Sequence, residues 1–271
     1  MEWYDFDART HLQQLGRFAQ IDPLTEKSRR YSPYVFGNNN PVRFNDPDGM
    51  FSTDVTKNKD GTYTVIDGKA DGDKNIYVRS SDNKRTGEVI GKSLTDYSFL
   101  KDDGTAVKGA IINPNDKSGA DFLNNRIIGN QKLGLIEYMV NATGGEKYDF
   151  KTNGLANKPD ELTPTQYVYR GMSVENVAGV GSQDGGVTTF ASARDIGNVA
   201  AGYMAGSSGI SEPRARLAFD LLESAQRRKI ATEGMPTRQA EGIGYRHGFK
   251  IFEKQHPFKA LLSPSKPYPP R

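Results

Sequence analysis

The spacing of apolar positions changes character twice along the chain. Up to Met50 the apolar residues are mostly aromatic and come in short runs broken by turns: Trp3, Tyr4, Phe6, Phe18, Tyr31, Tyr34, Phe36 and Phe44, with Asn38-Asn39-Asn40-Pro41 between the later ones. Such a piece is too short and too poor in aliphatic residues to bury a core of its own. From residue 51 to 115 the period becomes two. DGTYTVIDG alternates around Tyr63 and Val65, NIYVRSSDNKRTGEVIG places Asp82-Asn83 between two strand-like runs, and DDGTAVKGAIINP supplies a third. Gly and Asn at the reversals make these read as antiparallel hairpins.

From Ser118 the period lengthens to that of a helix. Phe122, Leu123, Ile127 and Ile128 recur at helical intervals, then Leu135, Ile136, Met139 and Val140, and Gly144-Gly145 is a stop signal. Beyond it, GGEKYDFK at 144–151 reads as an extended segment. There Tyr148 and Phe150 alternate with Asp149 and Lys151, which puts the acid and the lysine on one face. A helix opens at Ser192 and is dense in Ala200, Ala201, Gly202, Ala205 and Gly206, a second starts near Pro213 and is expected to bury Leu217, Leu221, Leu222 and Ala225, and a third runs from Pro236 through Gly242, Gly244 and Gly248. Glycine is costly inside a helix, so this density predicts close approach of backbones or an irregular turn rather than helix propensity.

Composition narrows the classes. The absence of cysteine excludes a disulfide framework and a thiolate metal site. Mean hydropathy is −0.67, and no apolar run approaches the ~20 residues of a membrane helix. The start of the chain lacks the basic and apolar regions of a signal peptide, so export is expected to depend on a missing N-terminal part or on a dedicated machine. Residues 51–271 carry 30 Lys+Arg against 26 Asp+Glu, a net +4 that permits nucleic-acid binding without demanding it.

The segments WYDFDARTHLQQLGRF, QIDPLTEKSRRYSPYVFGNNNP and DPDGM, in that order over residues 1–50, resemble the end of the Rhs/YD-repeat associated core. That resemblance implies a β shell enclosing a variable C-terminal toxin that begins after the DPxG(L/M) tag. It also implies self-cleavage between Met50 and Phe51 by paired aspartates, which map onto Asp22 and Asp46. Two carboxylates sharing a proton can activate water, although both Asp-Pro pairs also suit plain turns. The implied partners are the Rhs shell with its secretion machinery, and a cognate immunity protein whose acidic surface would meet the basic toxin. The toxin would be delivered into a target cell and would act in its cytoplasm if it is a nuclease.

Within the payload, GGEKYDFK, RDIGNVAAGYMAG and EGMPTRQAEGIGYRHG resemble successive blocks of the type 44 bacterial polymorphic toxin family, over about residues 118–250. The resemblance carries Asp149 and Lys151, Asp195 and Asn198, and Glu233 with Gln239 into the site, and it implies toxicity without a settled reaction. From the residues themselves, a carboxylate-x-Lys pair suits metal-assisted phosphodiester hydrolysis. Asp149 would hold a divalent ion such as magnesium and Lys151 would steady developing charge, with Asp121 or Glu137 as a further acid. His247, beside Tyr245 and Arg246, is read as lying at the end of the third helix and completes the candidate list. Each residue also has a structural reading. Asp149 and Lys151 suit a solvated ion pair, Asp195 a helix start, Asn198 a bend, Glu233 an exposed loop and His247 a helix C-terminus. With two payload histidines and no cysteine, the chain argues against zinc.

The expected fold is α+β: an aromatic core remnant at 1–50, a small antiparallel β connector at 51–115, a mostly helical toxin domain at 116–258 and a Pro-rich extended or disordered tail at 259–271. The leading functional reading is a nuclease toxin, with a cell-wall hydrolase open beside it. A third reading is an ADP-ribosyltransferase. YVYRGMS at 167–173 and TTFASA at 188–193 resemble its Arg and Ser/Thr blocks, but Gln239-Ala240-Glu241, which matches its third block in letters, falls in a helix. A non-enzymatic interaction module is the remaining alternative.

Overall fold

The computed structural model describes residues 3–5, 10–12, 17–19, 52–70, 72–152, 162–181, 187–227 and 234–257. Near the start, β1 (Trp3–Asp5), β2 (Thr10–Leu12) and β3 (Arg17–Phe18) form a small antiparallel sheet in the order β1-β2-β3. Asp22, Asp46, Glu233 and the tail at 259–271 lie outside the described residues.

The larger sheet departs from the expected connector. Strands β4 (Thr53–Lys57), β5 (Tyr63–Gly68), β6 (Asn75–Arg79), β7 (Arg85–Ser93) and β8 (Ile111–Asn113) do not stand as separate hairpins. They join β9 (Gly171–Ser173) and β10 (Thr189–Ser192) in a closed barrel of order β10-β7-β6-β4-β5-β8-β9. Three of its pairings are parallel: β4 with β6, β8 with β9, and β7 with β10. The expectation of a small antiparallel connector leading to a mostly helical domain is therefore corrected: a mixed barrel is a principal body of the protein, and strands beyond residue 115 close it.

Alternation builds the barrel wall where it is visible. Tyr63 and Val65 of β5, and Ile76 and Val78 of β6, point inward, where they meet Val55, Phe99, Leu100, Val107, Ile112 and Phe190. The β6–β7 reversal falls at the expected place, with Asn83 at φ 63, a conformation Asn tolerates because its side chain is short and polar. Inside the wall, Gly171 has no spare room: a Cβ would lie 2.7 Å from Phe99 and 2.8 Å from Ile112.

β9 and β10 are buried along their whole length. Phe190 faces the barrel interior, while Met172 and Ala191 face a second core shared with the helices. A short strand with both faces covered has no alternation to read, so periodicity placed neither strand, and β10 was met only in the TTFASA resemblance.

The stretch from Ser118 is helical but broken. A single turn, α1 (Ser118–Asp121), runs into a π-helical segment at Phe122–Ile128, and α2 (Leu135–Val140) follows after Gly129 and Gly134. In α2, Tyr138 is buried while Ile136 and Val140 are exposed, so half of its expected apolar face looks outward. A one-turn helix, α3 (Pro164–Tyr167), precedes β9. The three later helices start where expected: α4 (Ala193–Ser207) at its Ser192 cap, α5 (Glu212–Arg227) with Pro213 in its first turn, and α6 (Met235–Gln255) at Pro236. In α5 the anchors are Ala215 and Phe219, and Leu217 is exposed, contrary to expectation.

The glycine-rich stretches meet. A Cβ on Gly202 would collide with the Glu241 carbonyl and one on Gly206 with that of Tyr245. Likewise Gly244 abuts the Val199 carbonyl and Gly248 that of Tyr203. The contact positions rise together along α4 and α6, so the two helices run parallel, backbone against backbone. Of the two readings of the glycine density, close approach is the one realised.

Candidate functional site

The site is organised by the chain reversal after α2. Gly144 and Gly145 take φ of 69° and 84°, which residues bearing a Cβ seldom adopt. Tyr148 N–H then donates back to the Asn141 carbonyl at 2.7 Å. Turn follows turn: Asp149 N–H donates to the Glu146 carbonyl at 2.9 Å and Thr152 N–H to the Asp149 carbonyl at 3.2 Å. The segment is therefore not extended, and Asp149 and Lys151 do not share a strand face. Tyr148, Asp149 and Phe150 are all buried, and Lys151 is half-buried.

Asp149 is 5 % exposed. Its Oδ2 accepts the Gly145 N–H at 3.0 Å, which holds the reversal shut, while its Oδ1 is enclosed without a hydrogen-bond partner. The Thr152 hydroxyl is enclosed likewise. Arg170 fastens this turn to β9: Nη1 donates to the Lys151 and Tyr167 carbonyls at 2.8 and 2.7 Å, Nη2 donates to the Phe150 carbonyl at 2.8 Å, and the guanidinium stacks 4.8 Å from the Phe150 ring centre. Burial lowers the Arg170 pKa, while the charges of Asp116 and Asp149 act in the opposite direction. A guanidinium so occupied by main-chain carbonyls is a staple, not an open clamp for an NAD phosphate.

Behind the turn lies Tyr138. Its hydroxyl donates to the Gly197 carbonyl of α4 at 3.2 Å, and its ring stands 5.7 Å from that of Tyr148. Burial raises its pKa and the carboxylates of Glu241 and Asp149 raise it further, so the phenol keeps its proton. Next to Gly197, the half-buried Asn198 has an enclosed amide nitrogen with no acceptor.

The outer surface of the same reversal is polar and open. Glu137, on α2, has its Oε1 3.7 Å from the Lys147 ammonium and accepts from the Tyr148 hydroxyl at 3.4 Å. Lys147 lies 4.8 Å over the Tyr148 ring, and the exposed Arg126 of the π-helical segment is near enough to oppose its charge. The Tyr148 phenol, aided by the Glu137 carboxylate, holds the Lys147 ammonium above the usual lysine range. A carboxylate and an ammonium thus share one accessible face, within reach of the Arg126 charge. Glu137 had surfaced in the sequence only as one of two further acids. Lys147, Arg126 and Tyr138 carried no signal beyond their residue types.

The other candidates lie apart from this face. Asp195 is wholly buried and forms a capping box with Ser192: the Asp195 N–H donates to the Ser192 hydroxyl at 3.3 Å, and the Ser192 N–H donates to the carboxylate at 3.4 Å. Burial pushes its pKa up, opposed by Arg194. Gln239 accepts from the Asp96 N–H and donates to the Asp96 carboxylate, both at 3.1 Å, which joins α6 to the loop after β7. His247 sits in the middle of α6 rather than at its end. Its ring lies 5.6 Å from that of Tyr203 and presses on the backbone at Gly179. Gln239-Ala240-Glu241 is helical, as the sequence indicated.

Among the described residues, no three His, Cys, Asp or Glu side chains converge as metal donors. Asp149, the expected magnesium ligand, offers one oxygen already bonded to Gly145 and one sealed from solvent. Magnesium retains several waters in its octahedron, so this carboxylate does not fit the ion. No protein-family model matches the chain, and neither a curated protein nor a solved structure matches it.

Proposed function

We propose that the chain is the C-terminal part of an Rhs-type effector whose payload hydrolyses nucleic-acid phosphodiesters at the outer face of the α2 reversal. The observation that carries this reading is the exposed pair Glu137 and Lys147, a proton acceptor held 3.7 Å from a cation, with the charge of the exposed Arg126 felt at Lys147. Phosphoryl transfer needs such an acceptor together with positive charge around the phosphate oxygens. In this reading Asp149, Tyr138 and Arg170 position the reversal and do not touch substrate. Delivery by an Rhs shell and restraint by an acidic immunity protein belong to the same proposal and rest on the order of motifs in residues 1–50.

The test is expression of the full chain and of Glu137→Gln in bacterial cytoplasm, and of the full chain in periplasm. Cytoplasmic killing with degraded nucleic acid, absent in the variant, is the expected result. Killing confined to the periplasm would replace the nuclease by a cell-wall hydrolase, and depletion of NAD with intact nucleic acid would replace it by a transferase.

A further inference from the structure

We propose that the substrate is RNA and that the nucleophile is the RNA's own 2′-hydroxyl, with Glu137 as base. This inference rests on the nuclease reading of the same face. A hydrolase that cuts DNA must activate water, and the usual device is a metal ion that lowers the pKa of a bound water. No three metal-donor side chains converge among the described residues, and Asp149 is closed to a hydrated ion. What the open face does hold is one accessible carboxylate, 3.7 Å from an ammonium, with a guanidinium nearby. A lone carboxylate is a modest base, so the nucleophile has to arrive already positioned. An intramolecular hydroxyl meets that need: well-oriented neighbouring groups reach effective molarities of ~10⁵–10⁸ M, about 7–11 kcal/mol of the barrier. DNA has no such group.

The step balances without a co-reactant. Glu137 takes the proton from the 2′-hydroxyl, the 2′ oxygen forms its bond to phosphorus, and the bond from phosphorus to the 5′ oxygen breaks. The departing oxygen takes a proton from the Lys147 ammonium, and the Glu137 carboxylic acid then returns its proton to Lys147. The Arg126 charge, felt at Lys147, adds to the positive potential around the phosphate. The products are a 2′,3′-cyclic phosphate and a 5′-hydroxyl end.

The experiment incubates the full chain, in excess chelator, with an oligoribonucleotide, the DNA of the same sequence, and that DNA carrying a single ribonucleotide. RNA cleavage, scission of the chimera only on the 3′ side of its ribonucleotide, and a cyclic phosphate by mass spectrometry are expected. Glu137→Gln should slow the reaction by about 10²–10⁴-fold with an unchanged unfolding transition. Cleavage of DNA at a rate similar to RNA, or loss of cleavage on chelation, overturns the RNA mechanism and leaves a nuclease. Failure to cleave any of the three removes the nuclease reading itself.

Discussion

In the barrel, the interior is filled by side chains that arrive from opposite walls: Ile76, Phe99, Leu100, Ile112 and Phe190 are fully or almost fully enclosed. Between α4 and α6 the interface is filled by main chain, because Gly202, Gly206, Gly244 and Gly248 leave nothing between the two backbones. Both regions exclude water, yet they tolerate opposite errors. Removing atoms from the barrel leaves a cavity with few ways to collapse, whereas adding a single carbon to the seam forces the helices apart. The first region is sensitive to size and the second to the existence of a Cβ.

The largest expected effect tests the barrel half of this contrast. Phe99→Ala should lower stability by about 3–5 kcal/mol, read as a fall in the denaturation midpoint with its slope retained. A loss below about 1 kcal/mol would mean that the interior can close around the gap. Next comes the seam: Gly244→Ala, a change that normally favours a helix, should instead destabilise by about 1–3 kcal/mol. A stabilised variant would show that α4 and α6 can separate at little cost.

The smallest effect lies at the edge of the seam. Burial holds the His247 imidazole below its ordinary range, and Lys250 and Lys254 push the same way. A histidine depressed in the folded state contributes stability that is full above about pH 6.5 and is lost as the pH falls through the lower folded value. The protein should therefore weaken as the pH falls below about 6.5, and His247→Gln should flatten that limb. An unchanged acid limb in the variant would assign the loss to other groups.

The two regions were also unequally legible. The glycines of α4 and α6 signalled either close backbone approach or an irregular turn, and the helix starts at Ser192, Pro213 and Pro236 followed from cap and proline chemistry. In the barrel, Tyr63 with Val65 and the Asp82-Asn83 turn were readable because alternation and turn residues are local. The parallel pairings were not, since a parallel partner lies far away in sequence and leaves no mark beside the strand.

The extended reading of GGEKYDFK failed for a related reason. YDFK alternates in letters, but Gly144 and Gly145 coil it into turns, which buries Asp149 with its aromatic neighbours and leaves Lys147 outside. Asp195 caps α4 and Gln239 ties α6 to the loop after β7, while Asn198 lies inside α4 with its amide nitrogen enclosed. What sequence could offer toward the exposed face was Glu137 as one acid of two.

Barrel closure also orders events in time. β7 pairs in parallel with β10 through Lys92 and Ser93 against Thr189 and Phe190. A growing chain therefore emerges from the ribosome with β4 to β8 complete and the wall still open on both edges. Such non-local pairings are slow to form, because the loop must be closed before any contact rewards it. Until α4 begins to appear, the nascent strands present unpaired edges and an uncovered apolar concavity, the features that chaperones hold and that aggregation exploits.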